Sequence, residues 1–81
     1  MECKDFKVVL NNFREECDSS DKTVYLEVNF NLKNTIRNST CILFFAGDDI
    51  MITGGMIKFT EDDGVYYVPI SCIETCTLNY E

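Results

Sequence analysis

Between Val24 and Lys33 the chain alternates without a fault. Val24, Leu26, Val28, Phe30 and Leu32 are apolar, and Tyr25, Glu27, Asn29, Asn31 and Lys33 fall between them. Successive side chains of a strand point to opposite faces, so this pattern specifies a strand buried on one side and wet on the other. A slip of one residue would bury Glu27 and two asparagines, which fixes the register as well as the element.

The rest of the chain has to supply that strand with neighbours. From Cys41 to Ile70 the sequence reads as short strands separated by turns of definite chemistry: Gly47-Asp48-Asp49, Gly54-Gly55 and Glu61-Asp62-Asp63-Gly64. Gly-Gly tolerates positive φ at both central positions of a two-residue hairpin, and Asp-Gly is hairpin chemistry as well. Pro69 lacks a ladder donor and belongs at a strand end, an edge or a bend. The tail from Ile70 to Tyr80 alternates loosely through Cys72, Glu74, Cys76 and Leu78 and reads as a last strand, bent near Ser71.

Phe6, Val8 and Leu10 alternate, which predicts a strand at the N-terminus. Phe13 then lies on the opposite parity. A bulge at Asn11-Asn12 restores it to the core; the alternative is a short helical turn capped by Asn12 with Glu15 three residues on. Residues 16–22 are polar and aperiodic, a loop, and Asn34 to Thr40 has the composition of a connection. No segment is expected to form a long helix.

The fold class is therefore all-β with room for one short helical turn. About six strands are expected in a small antiparallel meander, barrel-like or two-layer domain. Residues 1–81 make one domain, with 1–33 as an N-terminal strand pair and 41–80 as a C-terminal meander. A domain this small buries only about two-thirds of its unfolded surface. Cys41-Ile42-Leu43-Phe44-Phe45 is apolar on both parities and must be covered on two sides, by a second layer of strand or by another copy of the chain. A homodimer is expected on this ground.

The net charge is -7 and the pI about 4.3. Direct binding of a phosphate backbone needs clustered lysine and arginine, so nucleic acid is excluded as a direct partner. The charge is uneven: residues 1–40 hold six bases and seven acids, whereas residues 41–81 hold one base, Lys58, and seven acids. In an up-and-down meander alternate turns fall at the same end of the sheet. Asp48, Asp49, Glu61, Asp62 and Asp63 would then converge into one acidic rim, with Tyr66 and Tyr67 beside it as candidate interface aromatics. Such a rim suits a basic protein surface and can imitate spaced phosphates. Asp and Gly are also simply what tight turns demand.

Catalytic chemistry finds little support. The chain has no histidine, the commonest general base and the usual partner of a Ser or Cys nucleophile. Phosphate-binding glycine motifs are missing, and neither Gly-Asp-Asp nor Glu-Asp-Asp-Gly reproduces a calcium loop. The five cysteines (Cys3, Cys17, Cys41, Cys72 and Cys76) are odd in number and show no C-x₂-C knuckle. They read as reduced, small, buried apolar residues. No enzyme, cofactor or metal is expected. The opening Met1-Glu2-Cys3-Lys4-Asp5 has no apolar stretch of signal-peptide type, and the run from Cys41 to Ala46 is too short to span a bilayer. A cytoplasmic location without membrane contact follows as the expectation, and Asn38-Ser39-Thr40 is then a chance sequon.

The Gly-Asp-Asp turn and the strand-Gly-strand pattern within residues 41–80 resemble small SH3-like or Sm-like barrels in general outline. In size, acidity and strand content the chain is similar to short inhibitors made by phages and mobile elements, nucleic-acid mimics among them. That resemblance implies a non-enzymatic protein whose acidic rim docks on a partner's basic, nucleic-acid-binding surface. The alternative expectation is an oligomeric β scaffold that sequesters a small ligand at its subunit interface.

Overall fold

The computed structural model describes residues 1–31, 39–61 and 64–81. Leu32, Lys33, most of the connection from Asn34 and the pair Asp62-Asp63 lie outside the described residues. The first element is a helix, α1, Cys3–Ser19, and not the strand expected at Phe6–Leu10. Phe6, Leu10 and Phe13 are buried on one side of it, with Cys3, Val9 and Cys17 packed beside them, whereas Val8 is 59% exposed. Spacings of four, three and four from Phe6 to Cys17 follow the helical period. The alternation Phe6-Val8-Leu10 covers only five residues, too few to outweigh a helical face that continues for four turns. Phe13 therefore reaches the core without a bulge.

Six strands follow among the described residues: β1 Val24–Asn31, β2 Ser39–Phe45, β3 Ile50–Thr53, β4 Met56–Glu61, β5 Gly64–Pro69 and β6 Ile73–Tyr80. They form two three-stranded antiparallel sheets, ordered β2-β1-β6 and β3-β4-β5. The mostly-β, two-layer form of the expectation is the one observed. Its division into a strand pair over 1–33 and a single meander over 41–80 is not. Strand β1 is the centre of the first sheet, taking β2 on one side and β6, from the far end of the chain, on the other. Only β3, β4 and β5 make a consecutive meander.

Strand β1 buries Val24, Leu26, Val28 and Phe30 and leaves Tyr25, Glu27, Asn29 and Asn31 half-buried, as its alternation requires. These side chains join Phe6, Leu10 and Phe13 of α1, Phe44 of β2, Ile50 of β3, and Ile57 and Phe59 of β4 in one core. Phe44 and Phe59 meet edge to face across the two sheets, with centroids 5.2 Å apart. Ile70 and Ile73 close the core where β5 ends at Pro69, and a 3-10 turn, Ile70–Cys72, leads into β6. The chain thus bends near Ser71, and Pro69 lies at the end of an edge strand, where its missing donor leaves no gap in a ladder.

Candidate functional site: the acidic end of the second sheet

Strands β3 and β4 are paired so that Ile50 faces Phe59 and Thr53 faces Met56. The Gly54-Gly55 turn, with φ of 55° and 77°, therefore closes one end of this sheet, and the start of β3 lies beside the far end of β4 at the other. At that second end β4 and β5 meet at Glu61 and Gly64. The turn carrying Asp48 and Asp49 immediately precedes β3 and so belongs to the same end. Asp48 and Glu61 line one open cavity of about 310 Å³, walled by Ile42 to Phe45 of β2 and by Phe59 and Thr60 of β4. Asp62 and Asp63 fall outside the described residues.

Asp48 is also part of its own turn. The Phe45 amide donates to Asp48 Oδ2 at 2.6 Å, the Asp48 amide donates to the Phe45 carbonyl at 3.0 Å, and Gly47 supplies the positive φ of 94° between them. One carboxylate oxygen thus fixes the local chain. Asp49 is exposed. Among the described residues the one ion pair is Lys4 with Glu2, at 3.4 Å, so no lysine or arginine closes on Asp48, Asp49 or Glu61 within ion-pair distance. Arg14 lines a second cavity with Asp18 and Asp48 while its Nη2 donates to the Ile50 carbonyl at 2.8 Å.

The tyrosines divide. Tyr66 stacks on Phe59, centroids 5.5 Å apart and planes 18° from parallel, and so lies on the cavity side of β5. Tyr67 points the other way, with Lys58 Nζ 6.0 Å from its ring centroid. Of the candidate residues, Asp48 and Glu61 share the cavity, Asp49 and Tyr66 flank it, and Tyr67 belongs to the opposite face. Tyr25, tilted at 30° against Phe45, packs over the outer side of the first sheet.

No family model, curated protein or solved structure matches the chain.

All five cysteines are free. Cys3, Cys17, Cys72 and Cys76 are half-buried against the core, and Cys41 is exposed, which corrects the expectation of five buried thiols. Cys41 is on the outward parity of β2, between Ile42 and the described end of the strand. Burial pushes the Cys76 thiol above its usual range, and burial followed by the charge of Asp18 does the same for Cys17. Both are poor nucleophiles near neutrality, because the thiolate is the reactive form. Among the described residues no three cysteine or carboxylate side chains gather to hold a metal ion.

A feature that the strand reading concealed lies on α1. Lys7, Asn11 and Arg14 stand on one side of the helix and line a third cavity against β3. Their spacing of four and three marks a polar stripe once the segment is read at the helical period.

Proposed function

We propose that this protein is a small, acidic, non-enzymatic interaction protein of the cytoplasm. In this reading it is an inhibitor of the phage or mobile-element type that docks its acidic rim on the basic, nucleic-acid-binding surface of a partner protein. The observation that carries the reading is that Asp48 and Glu61, separate in sequence, border one cavity and have no cation within ion-pair distance among the described residues. Carboxylates left unpaired beside exposed apolar side chains, here Leu43 and Phe45, suit a basic surface with some apolar area of its own. The surplus of acids in residues 41–81 extends the field beyond contact distance and would speed association at low salt.

The test is affinity purification of the partner with Asp49→Lys/Glu61→Lys beside the wild type. Both residues are exposed, so the double variant is expected to keep its thermal midpoint while losing the partner at 50–150 mM salt (roughly one Debye length of 8–14 Å). A complex indifferent to both salt and charge reversal would remove the rim from the interface.

A second reading, an oligomeric β scaffold that sequesters a ligand between subunits, is supported by strand β5. It is an edge strand, and Val65, Tyr66 and Tyr67 expose apolar surface on both of its faces.

A further inference from the structure

We propose that the groove between helix α1 and strand β3 binds a single phosphate monoester carried on a small apolar body. The groove has a volume of about 320 Å³, at the small end of the range typical of small-molecule sites (roughly 300–1,000 Å³). One wall is the stripe Lys7, Asn11 and Arg14; the other is Ile50, Met51 and Ile52. The Arg14 guanidinium is held in place by its bond to the Ile50 carbonyl at 2.8 Å, and that bond uses only part of its donor capacity. Lys7 has no carboxylate within ion-pair distance among the described residues, and neither has Arg14. In a chain of net charge -7, two unpaired cations and an amide therefore line one groove.

An ammonium, an amide and a guanidinium together offer more donors than a carboxylate can use, and they match the three terminal oxygens of a phosphate monoester. The apolar wall favours an attached hydrocarbon or aromatic group, and the exposed thioether of Met51 makes favourable contacts with an aromatic edge. A nucleic acid strand is disfavoured, because phosphates beyond the first would meet the acidic remainder of the surface. Asp18 and Asp48 border the neighbouring cavity that shares Arg14, and their charge opposes the ligand.

This site uses side chains other than those of the acidic rim, and one substitution separates the two. Amide chemical shifts of the full chain would be followed at low salt on titration with phenyl phosphate, phenol and inorganic phosphate. Phenyl phosphate is expected to give saturable shifts at residues 7–14 and 50–52, phenol none that saturate, and inorganic phosphate binding at least about tenfold weaker. Lys7→Gln, at an exposed position, is expected to weaken phenyl phosphate about tenfold with the rest of the spectrum unchanged. Asp48→Asn keeps an acceptor for the Phe45 amide and is expected to strengthen phenyl phosphate while weakening any basic partner of the rim. Shifts that do not saturate, saturation elsewhere on the chain, equal affinity for inorganic phosphate or an unchanged affinity in Lys7→Gln would each overturn the proposal.

Discussion

At the scale of single residues, the clearest match of chemistry to geometry is the Gly54-Gly55 turn. Both glycines have positive φ, and a Cβ built on either meets no atom within 4 Å. A side chain there would be penalised by backbone conformation alone, so Gly54→Val is expected to lower the unfolding free energy by roughly 1–3 kcal/mol. Urea denaturation would measure it, and a midpoint unmoved from wild type would mean that the turn is not held in this conformation. Asp48 is a different kind of case. Its identity at a turn is readable from the sequence, but its bond to the Phe45 amide and its place beside Glu61 are not. One depends on the local chain path, and the other on how two sheets are stacked.

Among the elements, β1 and α1 mark the two limits of pattern reading. Nine consecutive alternations left β1 a single interpretation, and of the residues expected inside, Val24, Leu26, Val28 and Phe30 are found inside, Leu32 lying outside the described residues. In α1 the same residues satisfy two periods over a short window, since Phe6 and Leu10 are common to both, and only Val8 and Phe13 distinguish them. Length decides for the helix: Cys3 through Cys17 stays on one face for four turns. Substitution can test the assignment directly. Phe6→Ala is expected to cost about 3–5 kcal/mol and Val8→Ala less than about 0.5 kcal/mol, because the first empties the core and the second changes an exposed position. Comparable losses at the two sites would instead fit a strand. The Lys7-Asn11-Arg14 groove was hidden by the same ambiguity, because on a strand Lys7 and Asn11 would face one way and Arg14 the other.

For the whole molecule, the arrangement of the sheets sets which surfaces remain open. With orders β2-β1-β6 and β3-β4-β5, the strands β2, β6, β3 and β5 are edges, and β5 combines an open edge with exposed Val65, Tyr66 and Tyr67. Edge strands of this kind template pairing with another chain. If copies associate there, light scattering will show a mass that rises with concentration in the micromolar range. Tyr67→Lys, which places a charge on the exposed face, is then expected to restore the monomer mass. A constant monomer mass for the wild type would count against the scaffold reading and leave the docking reading untouched.

Local pattern by itself determined where the strands of residues 24–31 and 50–80 lie, which side of β1 is buried, which turns need glycine and which half of the chain carries the negative charge. Those properties follow from periodicity and residue chemistry within a few positions. Tertiary structure alone decided that β6 returns to pair with β1, that β2 leaves the meander for the first sheet, and that Asp48 and Glu61 border the same cavity. Pairing between strands is set by how their apolar faces can be covered together, and a face that alternation marks as buried does not specify which distant strand will cover it.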